Sequence, residues 1–205
     1  MHWLVAAVYD RFMRGSEVAC LTAWRADLLA GLSGDVLDVG AGTGANLPHY
    51  PAPVRRIVLA EPDPHMLRRL RGTLEQAPDA RVETIAAPVE ALPCPDGSFD
   101  AVVSTLVLCS VVDQAVALRE IRRVLRPDGV FVFLEHVAAE DKPRRLVWQR
   151  RCEPVWKRLT GGCHLTRHTR DAIAAAGLRI EREHRESMRK ALPIARPCVR
   201  GIARK

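Results

Sequence analysis

The run Val36-Leu37-Asp38-Val39-Gly40-Ala41-Gly42-Thr43-Gly44-Ala45-Asn46 constrains the rest of the chain most. It reads as a short apolar strand entering a glycine-rich turn, with a carboxylate two residues ahead of the first glycine. Three alternating glycines let the backbone turn tightly and approach a ligand with no Cβ atoms in the way. A helix is expected to begin near Gly44 and to continue until Pro51 and Pro53 stop it. Such a loop suits a small molecule with a nucleoside-like body. It also fits a relaxed dinucleotide fingerprint, Gly40-x-Gly42-x-x-Ala45, which alone is a weak signal. Asp38 favours a ligand carrying an ammonium group, because a pyrophosphate would be repelled there. Glu61 does not discriminate, since both ligand classes use an acid at that spacing to accept bonds from ribose hydroxyls.

A chain of 205 residues is expected to form a single domain, 1–205, large enough to bury a real core. Its 48% apolar content argues against disorder. A net charge of +7 raises nucleic acid or an anionic membrane as partners. Yet of 31 basic residues only Lys142, Lys157, Lys190 and Lys205 are lysines, and no domain-wide basic block stands out. An arginine- and alanine-rich composition of this kind follows from a GC-rich coding sequence, so nucleic acid is not expected as a partner. Six cysteines form no CxxC pair and follow no secretory signal, which points to free thiols in a reducing compartment. Cys163-His164 lacks a second pair at ligand spacing, and no metal site is expected. The apolar opening Met1-His2-Trp3-Leu4-Val5-Ala6-Ala7-Val8 is too short to span a bilayer. The expected compartment is the cytoplasm.

Residues 16–32 predict an amphipathic helix with Ser16 as N-cap, a shared face of Val18, Leu21, Trp24, Leu28 and Leu32, and Gly34 as its end. Tyr9-Asp10-Arg11-Phe12 ahead of it can fold over a pocket. After the glycine loop, residues 56–60 predict a second strand. Asp63 and Pro64 then make an N-cap and first-turn pair for a helix to about residue 76. Residues 81–86 give a weaker strand, 89–98 a loop, and 99–106 a buried strand. A helix over 114–125 follows, and the turn Arg126-Pro127-Asp128-Gly129 leads into the strand 130–135. The stretch 144–159, where Trp148, Val155 and Trp156 alternate with arginines, predicts an amphipathic helix broken near Pro154. It would serve as a substrate cap, as an ordinary packed helix, or as a membrane-facing surface. A helix over 169–176 and strands over 178–187 and 198–203 close the chain. Strands alternating with helices imply a mostly parallel α/β sheet with helices on both faces, and the final hairpin adds one antiparallel strand. The layout is an N-terminal lid (1–34), a cofactor-binding core (36–136), a cap (138–168) and a C-terminal helix and strand pair (169–205). Ligands of such sheets bind beyond the carboxyl ends of the strands, which puts Asp38, Glu61, Val89, Leu106 and His136 on one rim.

With these pieces in place, the chain resembles class I S-adenosylmethionine-dependent methyltransferases of the ubiquinone-biosynthesis-like group. The matching segments are Leu37-Asp38-Val39-Gly40-Ala41-Gly42-Thr43-Gly44, Glu61, Leu92-Pro93-x-Pro95-Asp96-x-Ser98-Phe99-Asp100 and Val124-Leu125-Arg126-Pro127-x-Gly129. A narrower likeness covers nearly the whole chain. Gly42-Thr43-Gly44-Ala45-Asn46, Thr105-Leu106-Val107-Leu108-Cys109-Ser110-Val111, Glu135-His136-Val137-Ala138-Ala139, Gly162-Cys163-x-Leu165-Thr166-Arg167 and Arg196-Pro197…Gly201-x-Ala203 are similar to the methyltransferase-like family seven, membrane-associated alkyl thiol methyltransferases. The amino-terminal anchor of that family has no match in this sequence, and the acid that many relatives place near the adenine is replaced around Pro88.

The resemblance implies a seven-stranded Rossmann-like fold, S-adenosylmethionine as cofactor, S-adenosylhomocysteine as product, and S-methylation of a small thiol. It implies that Asp38 lies near the amino-acid end of the cofactor. Gly40, Gly42, Gly44 and Asn46 would line its body, with Glu61 and Pro62 at the ribose, Met66 near adenine, and Val89, Glu90 and Leu106 closing the site. A thiol with a pKa of about 8.5 is a few per cent ionised at neutral pH, so alignment can supply much of the catalysis. If a base is used, His136 is the first candidate, because it follows the fifth strand on the ligand rim and belongs to a residue type that ionises near neutrality. His164 is the second. Tyr9, Cys109, Trp148 and Cys163 are candidates for the acceptor pocket. O-, C- or N-methylation of a quinol, phenol or phospholipid headgroup would share every cofactor motif. A non-catalytic cofactor-binding or RNA-associated module is the alternative of another class. The pattern does not set the oligomeric state, and peripheral membrane contact is an alternative for 144–159.

Overall fold

The computed structural model describes residues 3–205, with side chains from residue 9 onward; Met1 and His2 of the apolar leader, and the side chains of residues 3–8, lie outside the described set. Strands β1 (Gly34–Val39), β2 (Val54–Ala60), β3 (Val82–Ile85), β4 (Phe99–Thr105), β5 (Leu125–His136), β6 (Arg179–Ser187) and β7 (Pro197–Arg204) form one sheet in the order β3-β2-β1-β4-β5-β7-β6. The five strands from β3 to β5 run parallel, and β7 is antiparallel to both of its neighbours. The single antiparallel strand expected from the final hairpin is therefore β7.

Central parallel strands are covered on both faces, which explains their unbroken apolar runs. Because strand side chains alternate, Leu37, Val39, Phe131 and Phe133 enter one core while Val36, Val132 and Leu134 enter the other. On the first face lie α4 (Gln114–Val124) and α6 (Thr169–Ala175), and on the second α2 (Thr22–Leu29) and α3 (Pro64–Gln76). Each such fully buried Leu, Ile, Val or Phe contributes about 1.5–3 kcal/mol to keeping the layers together. The capping signals act as read. Asp63 accepts from the amides of His65 and Met66 with Pro64 at the first turn of α3, and Asp113 accepts from Ala115 and Val116 at the start of α4.

Four local expectations are corrected. First, no separate helix starts at Ser16. Ser16 has helical angles and makes no capping bond, and the chain runs through α1 (Trp3–Ser16) and a π-helical turn (Glu17–Leu21) straight into α2. The wide turn rephases the helix. Cys20, Leu21, Arg25, Leu28 and Leu29 are buried, Val18 is 82% exposed and Trp24 is half-buried. Secondly, the glycine loop leads to no regular helix, only to a short 3-10 turn, Leu47–His49. Gly40, Gly42 and Gly44 all have positive φ, which a right-handed helix start cannot contain. Thirdly, Pro154 does not break α5 (Pro143–Leu159). The carbonyl its ring would displace belongs to exposed Arg150, where water can satisfy it. Fourthly, the turn at 126–129 is a bulge within β5, where pairing jumps from Phe99↔Leu125 to Ala101↔Val130.

The register aligns the strand ends. Val39 pairs with Ala60 and Ser104, Ala60 with Ile85, and Thr105 with Leu134. Between β1 and β4 the connections turn in opposite directions, which opens a crevice beyond their carboxyl ends.

Candidate active site

The glycine loop closes over this crevice because only glycine fits its backbone. Gly40 has φ +60°, and a Cβ there would lie 2.5 Å from a methyl of Val107. At Gly44, with φ +90°, it would lie 2.7 Å from Leu47. The loop is tied to the end of β2 by Glu61, which is buried and accepts from the amides of Gly42 and Asp63, both at 2.9 Å. Burial raises the Glu61 pKa against the pull of these amides. Pro62 beside it is exposed, and Met66 is buried below the loop.

Asp38, at the end of β1, is buried. Its Oδ2 accepts from Asn46 Nδ2 at 2.9 Å and from the Tyr50 hydroxyl at 2.8 Å. Its Oδ1 is buried with no hydrogen-bond partner among the described residues. Desolvation pushes the pKa up to about 6, with the bonds from Asn46 and Tyr50 opposing it. A buried carboxylate oxygen left unpartnered is costly unless a donor arrives, and a cationic donor compensates best.

Arg25 stands behind this carboxylate and was absent from the sequence-derived candidates. It is buried, and its Nη1 donates to Asn46 Oδ1 and to the Thr105 hydroxyl, each at 2.7 Å. Its other side pairs with Glu17 at 3.0 Å. A signal was available, since Leu21, Arg25, Leu28 and Leu32 share helical spacing, and a lone arginine on an apolar face needs buried partners. Tyr50, also missed, lies beyond the loop and carries no local pattern.

Past β4, Leu106 has φ +62°, an unusual conformation for a branched side chain, held by its amide bonding to Leu134 at 2.7 Å. This sharp turn delivers Cys109 to the rim. Glu135 lies beneath it, fully buried, with Oε1 accepting from Ser104 at 2.6 Å; burial pushes its pKa up to about 7. The next residue, His136, meets the cysteines. Cys163 Sγ lies 3.9 Å from His136 Nδ1, and the ligand atoms of Cys109, His136 and Cys163 all lie within 4.8 Å of one another. His136 Nε2 faces the Ile194 carbonyl at 3.4 Å. Within this pair, Cys109 is held well above the usual thiol range, while Cys163 is drawn below it by the Cys109 thiol, His136 and the Trp156 indole. Burial raises the Tyr9 phenol pKa, and the two cysteines act on it in the same direction.

The remaining expected residues stand outside this cluster of thiols and imidazole. His164 is outside the cluster: its Nδ1 faces Glu153 at 3.2 Å, and Glu153 also bonds Thr166. Trp148 is 57% exposed, with Arg151 over its ring. The next residue, Gln149, is buried and bonds the Ala139 amide and the Ile194 carbonyl. Glu90 uses its carboxylate to accept from the amides of Val112 and Asp113, and Val89 is buried in the core.

A family model described as a methyltransferase domain matches residues 37–133. Human thiol S-methyltransferase TMT1B is 41% identical over 180 residues, covering 85% of this chain and 73% of the relative. Human thiol S-methyltransferase TMT1A is 39% identical over 179 residues, covering 85% and 72%. The chain is a class I S-adenosylmethionine-dependent methyltransferase. S-adenosylmethionine is accordingly its cofactor. The methyltransferase is also 36% identical to the ubiquinone/menaquinone biosynthesis C-methyltransferase UbiE of Hahella chejuensis over 141 residues, 64% of this chain and 56% of that one. Among solved structures it is similar to the cyclase SpnF (TM-score 0.72, 21% identity, 90% of this chain and 79% of that one). It is similar also to a geranyl diphosphate methyltransferase in complex with its cofactor (TM-score 0.69, 15% identity, 92% and 84%). Such identities show the fold, and a cyclase among them illustrates that this fold does not decide the reaction. No helix among the described residues is long and apolar enough to cross a membrane.

Proposed function

We propose that this methyltransferase S-methylates a small-molecule thiol. The observation that carries the reading is 41% identity to a thiol S-methyltransferase over 85% of the chain. Supporting it, Cys109, His136 and Cys163 form a soft, largely buried group at the carboxyl end of β5.

The residues fit the cofactor. Asp38 Oδ1, buried and unpartnered among the described residues, suits the ammonium group. Gly40, Gly42 and Gly44 leave room for the body of the ligand beside Asn46. Glu61, whose two oxygens each accept one amide bond among the described residues and carry a second lone pair, suits the ribose hydroxyls, with Pro62 at the mouth. Met66, Val89 and the backbone at Leu106 and Glu90 would bound the adenine and methyl ends. When bound, the cofactor supplies an electrophilic methyl on a sulfonium and leaves as S-adenosylhomocysteine. The chain's own contribution is alignment of the acceptor and exclusion of water. Tyr9, Cys109 and Cys163 would line the acceptor side. His136, whose Nδ1 already faces Cys163, would position the acceptor rather than act as a free base. His164, paired with Glu153, would order the loop beyond Cys163. The proposed compartment is the cytoplasm. The arginine-flanked, exposed Trp148, Val155 and Leu159 of α5 form the surface to which any peripheral membrane contact is assigned.

The test is mass-spectrometric detection of product from S-adenosylmethionine with alkyl and aryl thiols against matched phenols and amines. Selective methyl thioether formation is expected. Turnover of phenols or amines alone would reject the thiol reading and leave the cofactor assignment in place.

A further inference from the structure

Three elements distant in sequence bring two thiols and an imidazole to one point. Cys109 follows the strained turn after β4, His136 ends β5, and Cys163 sits in the loop between α5 and α6. Backbone bonds fix the approach. The amide of His164 donates to the carbonyl of Cys109 at 2.7 Å, and that of Gly162 to Lys157 at 2.9 Å, so Cys163 is clamped beside Cys109 from both sides.

The donor set is specific. Two sulfurs and one ring nitrogen without a carboxylate are a soft combination that disfavours Mg²⁺ and Ca²⁺ and favours Zn²⁺. Tetrahedral Zn²⁺, with Zn–S of about 2.3 Å and Zn–N of about 2.0 Å, places a ligand sulfur and nitrogen roughly 3.5 Å apart. The Cys163 Sγ to His136 Nδ1 distance is 3.9 Å, and all three donor atoms lie within 4.8 Å, so a contraction of a few tenths of an ångström to about one ångström completes the geometry. His136 Nε2 faces the Ile194 carbonyl at 3.4 Å, the outer bond that commonly fixes a ligating histidine with its other nitrogen turned to the metal. The Trp156 indole N–H, buried and without a conventional partner among the described residues, acts on Cys163 and suits an N–H to thiolate contact. Cys109 and His136 are buried while Cys163 is partly exposed, which leaves one side of the cluster open. The second cluster of donor side chains, Glu140, His168 and Asp171, is exposed and already ion-paired with Arg185 and Arg170, and it has none of these features.

We propose that Cys109, Cys163 and His136 form a three-ligand site for Zn²⁺, with the open fourth position available to the acceptor thiol. Metal binding stands independently of the reaction, whereas the role of the fourth position rests on the thiol-methylation reading. Three protein ligands and one exchangeable position are the pattern of catalytic rather than structural zinc. On entry the acceptor exchanges for a metal-bound water. Its sulfur forms the Zn–S bond, its proton passes to solvent, and no electron changes hands. Coordination would thus hold as thiolate a group that free in solution is mostly protonated.

The test uses the whole chain, fully reduced, titrated with Co²⁺ as a spectroscopic probe and then with Zn²⁺. Thiolate-to-cobalt charge transfer and intense tetrahedral d–d bands are expected, saturating at one metal per chain and bleached by Zn²⁺. Cys109→Ser and Cys163→Ser should each weaken binding by about tenfold or more. Cys94→Ser and Cys152→Ser, away from the cluster, should leave it unchanged, and thermal melts check that each variant folds. Absence of charge transfer in the reduced wild type, or its survival in both cluster variants, overturns the site. Addition of an alkyl thiol should shift the d–d bands, and unchanged bands overturn the fourth-position role. Cobalt binding with product only from phenols or amines would reject the thiol reading and keep the site. Thioether formation without a cobalt spectrum would do the reverse.

Discussion

Arg25 Nη1 lies 2.7 Å from Asn46 Oδ1, and Asn46 in turn donates to Asp38 at 2.9 Å. The amino-terminal helix is therefore fastened to the carboxylate at the end of β1. Helix α2 and the Asp38 carboxylate share one polar network, and disturbing either end should be felt at the other.

Arg25→Met tests that coupling. It removes one partner of a largely buried ion pair and leaves Glu17 and Asn46 Oδ1 unsatisfied. Because Glu17 is a quarter exposed, the expected loss is about 2–3 kcal/mol rather than the full value for a wholly buried pair. Denaturant unfolding reads the loss, and calorimetry should show weaker S-adenosylmethionine binding. Unchanged affinity would mean the network is structural only.

Asp38→Ala should abolish detectable cofactor binding while circular dichroism stays native. Loss of a buried charge-assisted bond of about 3 kcal/mol corresponds to more than a hundredfold in affinity. A calorimetric Kd equal to wild type would remove Asp38 from the site.

Cofactor affinity should also depend on pH through Asp38. Its pKa is raised from 3.8 to about 6 by burial, so the folded protein binds this proton more tightly than the unfolded chain. The contribution to ligand-free stability is then greatest below about pH 4 and is lost as pH rises through about 6. Ammonium binding needs the ionised form, so affinity should fall as pH drops below about 6. Asp38→Asn should flatten that dependence, and a profile unaltered by the substitution would place the titrating group elsewhere.

Two glycine substitutions should act in opposite directions. Gly40→Ala places a Cβ 2.5 Å from Val107 at φ +60° and should cost about 1–3 kcal/mol along with cofactor binding. Gly72, within α3, has open space where a Cβ would stand. Gly72→Ala should stabilise the protein by up to about 1 kcal/mol. Equal melting shifts for the two would contradict this reading of the loop.

What could be read from the chain alone was whatever short-range chemistry dictates. A strand buried on both faces needs a continuous apolar run, and β1, β4 and β5 have one. An aspartate followed by proline starts a helix, and α3 starts there. Glycines in alternation demand positive φ, and all three have it. The family and its cofactor were legible for the same reason, since the motifs at 36–46, 92–100 and 124–129 are contiguous. Less legible were features that cancel locally. Ser16 looks like a cap until the helix before it makes a cap unnecessary, and Pro154 looks like a break until its orphaned carbonyl falls beside solvent.

The sequence by itself determined the parallel α/β architecture, the glycine loop, and the acids Asp38 and Glu61 at adjacent strand ends, because each depends on residues next to one another. Only the tertiary structure decided that Arg25 and Tyr50 flank Asp38, that His164 turns to Glu153, and that Cys109, His136 and Cys163 meet. Those are contacts between separate elements. Sheet order, the rephasing of the amino-terminal helix by its π turn, and the clamped loop before α6 set them, and none of these is encoded in the spacing of any single segment.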